Sequence, residues 1–176
     1  MERICAIFSH YRRISLTEMC LQKLAQQTVP PHRVVVADNG AGDGSLDGVK
    51  EQAAAGAYPF MLEIIDMPGN TGNAGGIARG LERAFSFPDV DAVWILDDDS
   101  WPEPDALACL LSHGPGTDGM EWPCVRGCKV VDLKQGGELS WPMVLLDEKD
   151  GRRIHVTRGD ALPEAPFLLT GGAFLG

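Results

Sequence analysis

Along the first two thirds of the chain, short apolar runs alternate with longer segments in which apolar residues recur at helical spacing. Arg3 to Ser9 (RICAIFS) reads as a buried strand and Leu16 to Gln27 as an amphipathic helix. Arg33 to Asp38 (RVVVAD) is a second strand, rich in β-branched residues. It runs into NGAGDGS, where small polar residues predict a loop whose Asp43 or Ser45 caps the next helix. Phe60 to Met67 predicts a third strand, Gly75 to Phe85 a helix, and Ala92 to Asp97 (AVWILD) a fourth strand. This repeated strand-then-helix order predicts an α/β domain with a Rossmann-like, mostly parallel sheet flanked by helices.

The pattern changes after Ser100. Pro102, Glu103, Pro104 and Asp105 open a short helix through Leu111, with proline near the first turn, where a missing N–H costs nothing. HGPGTDGMEWP predicts a loop, Cys124 to Leu133 and Leu139 to Leu146 predict strands around the KQGG turn, and Asp147 to Glu164 is polar with little apolar pattern. Neither a repeat nor a low-complexity linker interrupts the chain. The expectation is one domain over residues 1–176, with βα repeats over 1–112 and a small α+β part over 113–176. The apolar, glycine-rich ending PFLLTGGAFLG predicts a chain cut inside a longer, truncated protein.

The 176 residues, 44% hydrophobic and 23% charged, suit a globular core and set aside disorder. A formal net charge of -10 argues against nucleic acid or an anionic membrane as partner, because either needs a basic face. No stretch approaches the roughly 20 apolar residues of a transmembrane helix. The opening MERICAIFSHYRR also lacks the order of a signal peptide, so the expected location is the cytoplasm, including its inner membrane face. Cys5, Cys20, Cys109, Cys124 and Cys128 are odd in number and mostly embedded in apolar runs, which predicts buried reduced thiols. His10, His32, His113 and His155 form no ligand-spaced cluster, and only His10 sits near candidate chemistry.

Ligands of open parallel α/β sheets bind at the carboxyl ends of the strands. The first strand ends in Ser9-His10-Tyr11-Arg12-Arg13, where Tyr11 could stack on a base and an arginine pair with phosphate. The second ends in Asp38-Asn39-Gly40, where Asp38 could accept hydrogen bonds from a ribose or a uracil-like base, or simply close a turn. The third leads through Asn70-Thr71-Gly72-Asn73-Ala74-Gly75-Gly76 into a helix, and glycines beside a helix N-terminus suit phosphate. The spacing is neither the dinucleotide fingerprint nor a P-loop, which disfavours a nicotinamide enzyme.

The fourth strand carries the sharpest signal, because AVWIL is apolar and then Asp97, Asp98 and Asp99 follow in succession. Adjacent carboxylates repel one another unless a cation neutralises them. Alternation along an extended chain would turn Asp97 and Asp99 to one side, where they could share Mg²⁺ or Mn²⁺ and leave positions for two phosphate oxygens. Such a metal would neutralise a departing nucleoside diphosphate. The competing interpretation is an acidic turn that caps the following helix.

Together SHYRR, QQTVPPHRVVVADNG, NTGNAGG and AVWILDDDSWPEPDAL resemble the donor half of the family 2 inverting glycosyltransferases, whose catalytic domain has the fold called GT-A. The resemblance runs from Ile4 to about Leu111, resumes at LLTGGAFLG, and looks most like the galactofuranosyltransferase and rhamnosyltransferase branches. It implies that Ser9, Tyr11 or Arg12 flanks the nucleotide of a UDP- or dTDP-sugar and that Asp38 contacts its base. It also implies that Asn70 and a Gly75-Gly76 turn lie against ribose or diphosphate, that Asp97 and Asp98 meet the nucleotide-sugar, and that Asp99, with Asp97, binds Mn²⁺ or Mg²⁺. The implied acceptor is a glycan or a lipid-linked sugar. Many relatives read GGxN where this chain has Gly75-Gly76-Ile77-Ala78, which removes an amide contact. Relatives also place a base carboxylate downstream of the segment that LLTGGAFLG resembles, and none follows before Gly176. An inverting transfer needs that base to take the acceptor's proton. The expectation is therefore a donor-binding region, with the start of an acceptor side, that lacks its base.

Two other classes fit parts of the pattern. A haloacid dehalogenase-like phosphatase uses DxD after an apolar strand with the first Asp as nucleophile, but usually on the first strand of its domain. A non-catalytic nucleotide-binding module would need only the strand-end loops.

Overall fold

The computed structural model describes residues 2–40, 42–112, 130–132, 138–146 and 153–158. They belong to two compact units, Met1–Cys124 and Val125–Gly176.

In the first unit β1 (Ile4–His10), α1 (Ile14–Ala25), β2 (Arg33–Asp38), α2 (Asp47–Ala54), β3 (Met61–Asp66), α3 (Gly72–Phe85), β4 (Ala92–Ile95) and α4 (Ala106–Ser112) follow in order. The four strands form one sheet in the order β3-β2-β1-β4, parallel throughout. The inner strands β1 and β2 are buried on both faces, which is why their sequences are unbroken apolar runs. Strand alternation divides their side chains between two cores. Ala6, Phe8, Val34 and Val36 pack with Cys20, Leu21 and Leu24 of α1 and Val49 of α2. Cys5, Ile7 and Val35 pack with Ile77 and Ala84 of α3. Helices therefore cover both faces, as the alternation predicts. Gly80 lets α3 lie close to β1, since a Cβ there would stand 3.3 Å from that of Ile7.

In the second unit β5 (Val131–Asp132), β6 (Glu138–Leu146) and β7 (Arg153–Arg158) pair antiparallel. β7 lies inside the stretch expected to lack pattern, although RIHVTR alternates with period two over its length. The expected loop after α4 and the KQGG turn lie outside the described residues.

Three local expectations change. α3 begins at Gly72, one turn earlier than predicted, because the side chain of Asn39, just past β2, holds the backbone at Thr71. α2 has no side-chain cap; Asp43 Oδ1 instead accepts from the Ser45 N–H at 2.8 Å, closing a turn ahead of the helix. β4 stops at Ile95, so Asp97 is not a strand residue.

Candidate functional site

The chain runs β1 to β2 to β3 in one direction across the sheet and then places β4 on the other side of β1. The crevice of such a sheet opens at that switch. Pairing between β1 and β4 ends at Ile7 and Ile95, followed by the Leu96 N–H on the Ile7 carbonyl at 3.0 Å. β1 continues to His10, so the two chains part at their carboxyl ends. The Ser9 to Arg13 segment and the triplet Asp97 to Asp99 occupy this point.

The triplet is a turn, closed by the Ser100 N–H on the Asp97 carbonyl at 3.2 Å. The triplet therefore lies in a turn and not in the extended strand from which strand alternation is expected to set its side chains. Asp98 is 2% exposed, and its Oδ1 accepts from Arg13 Nη2. Its Oδ2 has no partner among the described residues. Asp99 is exposed, and its Oδ2 accepts from Arg13 Nη1 at 2.9 Å. Asp97 Oδ1 accepts from Asn73 Nδ2 of α3 at 2.8 Å. Trp101 Nε1 donates to the Asp98 carbonyl at 3.1 Å and holds the turn from its far side.

One guanidinium thus faces three carboxylates. Burial pushes the Asp97 carboxyl above its ordinary range, against the Asn73 hydrogen bond, with Asp99 adding to the rise. Asp98 is also raised, by burial first, with Arg13 opposing and the two neighbouring acids assisting. Burial would lower Arg13, but its bond to Asp99 and the charges of the triplet outweigh this and raise it.

Beside this cluster, Asn39 ties the ends of β1 and β2 to the start of α3. It is 3% exposed and spends both donors and both acceptors. Nδ2 donates to Ser9 Oγ at 2.8 Å and to the Gly72 carbonyl at 3.2 Å. Oδ1 accepts from the Thr71 N–H at 3.0 Å and from Thr71 Oγ1 at 2.9 Å. Asp38 is also 3% exposed, with Oδ1 accepting from the Gly40 N–H at 2.8 Å, so the turn-closing interpretation holds for that oxygen. Asn70 Oδ1 accepts from the Gly72 N–H at 2.9 Å just before α3. Gly75 and Gly76 are not a turn but part of α3, because the helix starts at Gly72. A Cβ on Gly76 would stand 2.6 Å from Ser9 Oγ, and one on Gly75 would overlap Thr71 Oγ1. Packing alone therefore requires these two glycines.

Tyr11 is 37% exposed and carries the Arg12 guanidinium 5.0 Å from its ring centroid. Arg12 has φ 59, the left-handed region that side chains disfavour, and this bend sends the next residue, Arg13, to the triplet. His10 is fully buried, with Nδ1 2.8 Å from Thr17 Oγ1 and Nε2 3.0 Å from Ser45 Oγ. Cys5 and Cys20 are buried thiols, pushed by burial up to about 11 and about 12. Cys109 is exposed, contrary to expectation, while Cys124 and Cys128 lie outside the described residues.

The structure brings Ser9, Asp38, Gly76, Asp97, Asp98 and Asp99 to one edge of the sheet. It adds Arg13, Asn39 and Asn73, which sequence reasoning did not single out. Asn39 lies in the DNG segment after β2, and Arg13 is one of two adjacent arginines. Their partners lie 86 residues away for Arg13 and 32 for Asn39, a pairing no local pattern carries.

The family described as "Glycosyl transferase family 2" matches residues 5–128. The galactofuranosyltransferase GlfT1 of Mycobacterium tuberculosis is 34% identical over 113 residues, which is 63% of this chain and 35% of that protein. The mannosyltransferase PcManGT from Pyrobaculum calidifontis, solved with GDP-Man and Mn²⁺, is similar at a TM-score of 0.51 and 26% identity, over 64% of this chain and 33% of that one. TarS of S. aureus shares the fold at a TM-score of 0.51 and 20% identity, over 64% of this chain and 19% of that one. The chain spans about a third of the length of the curated relative it matches.

Proposed function

The chain belongs to glycosyl transferase family 2, and from that membership we propose that its first unit holds a nucleoside-diphosphate sugar for inverting transfer to a glycan or lipid-linked acceptor. The GT-A arrangement of the sheet puts every carboxyl-terminal loop on the side where such a donor would lie. The observation that carries the proposal is the triplet at the switch between β1 and β4: a buried Asp98 with an oxygen that has no partner among the described residues, between Asp97 and Asp99, with Arg13 bonded to two of the three.

Mn²⁺ or Mg²⁺ suits these residues. The donors are hard oxygens, and the raised acids mark a site that a further cation would relieve. Among the described residues no group of three acids, histidines or cysteines forms a complete cage. Asp97 and Asp99 would supply one or two ligands, and phosphate oxygens and water the rest, as Mg²⁺ usually takes them. When bound, the ion neutralises the charge of a departing diphosphate. Asn73 holds one oxygen of Asp97 and so orients the other. Tyr11 offers a ring face to the base of UDP or dTDP, Asp38 a carboxylate to its N–H, and Arg12 a guanidinium to phosphate. Asn70 with Gly75 and Gly76 places the start of α3 near the diphosphate. PcManGT, solved with GDP-Man and Mn²⁺, supports both the donor class and the ion. Family membership leaves the phosphatase interpretation without support.

Calorimetry with UDP, dTDP and GDP, with and without Mn²⁺, tests this. Binding should require Mn²⁺ and weaken roughly tenfold or more, about 1.4 kcal/mol, in Asp99→Ala. A folded protein that binds none of the three with Mn²⁺ present would refute the proposal.

A further inference from the structure

Arg13 meets two members of the triplet, Asp98 and Asp99. Its side chain is 54% exposed, yet both terminal nitrogens are committed, Nη2 to buried Asp98 and Nη1 to exposed Asp99 at 2.9 Å. The left-handed backbone of Arg12 holds it there, a conformation kept at a cost of order 1 kcal/mol that surrounding contacts must offset. The two carboxylates differ in what they need. Asp98 is enclosed and requires a permanent counter-charge, whereas Asp99 is open to water and requires none.

We propose that Arg13 is an exchangeable counter-ion: its guanidinium occupies Asp99 while no metal is bound, yields that carboxylate to an entering divalent cation, and keeps its bond to Asp98 throughout. Arg13 is thus a positioning residue that sets how readily the cation enters. A planar fork with two donors can release one carboxylate and hold the other. A bare cation must displace Nη1 from Asp99, so it binds weakly; a cation arriving with a diphosphate brings oxygen ligands of its own and binds better. The proposal rests on the donor-site reading above.

Two substitutions separate occupancy from charge. Arg13→Gln removes both. Arg13→Lys keeps the charge but offers a compact ammonium that cannot bridge two carboxylates in the same fork. Lysine also leaves Asp98 a counter-charge, so this variant protects the fold where Arg13→Gln threatens it. Mn²⁺ titration of the nucleotide-free full chain, followed by electron paramagnetic resonance of the free ion, should show Arg13→Lys binding Mn²⁺ at least about fivefold tighter than wild type. The thermal midpoint of Arg13→Lys should also rise more on adding Mn²⁺ than that of wild type.

Wild-type and Arg13→Lys affinities for Mn²⁺ that agree within twofold, in a protein that still binds UDP with Mn²⁺, would overturn the exchange and leave the donor site standing. If wild type and Arg13→Lys, both folded, bind neither Mn²⁺ nor UDP with Mn²⁺, the donor site fails and the exchange fails with it.

Discussion

Asn39 shows how much of this site depends on one amide. Its four hydrogen bonds fix the end of β1 through Ser9 and the start of α3 through Thr71 and Gly72. A buried polar group stripped of its partner costs about 1–3 kcal/mol. Asn39→Ala should therefore lower the stability of the first unit by about 1–3 kcal/mol in urea, without changing the slope of the transition. It should also weaken nucleotide binding, because Ser9 and the start of α3 lose their common tie. A loss well below 1 kcal/mol would show that the strand ends are held by something else. At this scale the sequence revealed residues whose chemistry is local. Asp97 to Asp99 stood out because acids in succession after AVWIL conflict with their surroundings, and Asp38 because it ends a buried strand. Asn73 did not, since its partner Asp97 lies 24 residues on and nothing near either residue announces the pair.

His10 acts between elements. It ends β1, meets Thr17 of α1 with one ring nitrogen and Ser45 of the loop before α2 with the other. Burial depresses its pKa below the ordinary 6.5, with Arg13 adding to the fall, while Asp38 and Asp43 work against it. Above about 6.5 the ring is neutral in folded and unfolded chains alike, and its contacts contribute fully. As pH falls through that value the unfolded chain takes up the proton first, so stability declines until the lower folded pKa is reached. The wild type should therefore lose stability between about pH 7 and the folded pKa, by at most about 1.4 kcal/mol per pH unit. His10→Gln, which cannot take a proton, should start less stable but lack this decline. Equal slopes for the two proteins in urea titrations would remove His10 as the cause. Element order was readable from period and composition because β1 and β2 are buried on both faces and so carry unmistakable runs. Element ends were not. α3 starts early because Asn39 captures the backbone at Thr71, β4 stops early because the triplet turns, and β7 has only Ile154 and Val156 as apolar residues to mark it.

On the scale of the whole chain, the proposed donor site draws on one unit alone. Ser9, Arg13, Asp38, Asn39, Asn73 and the triplet all lie within Met1–Cys124, as do the four parallel strands and both cores. The family match, residues 5–128, covers nearly the same span. The net charge of -10 belongs to the entire sequence, whereas the charge that matters for the proposed donor is local: three acids just past one strand end, facing Arg13. A fragment ending at Cys124 should therefore fold cooperatively and bind UDP with Mn²⁺ within about threefold of the full chain, a difference below about 0.7 kcal/mol. Linkage supplies a second reading of the same quantity. UDP at about 100 times its Kd, with Mn²⁺, should raise the stability of either protein by about 2.7 kcal/mol, and a chelator should remove that gain. Both should be measured by urea unfolding with the fragment and the full chain side by side. A folded fragment that gains nothing from UDP and Mn²⁺, while the full chain gains, would mean that residues after Cys124 complete the donor site.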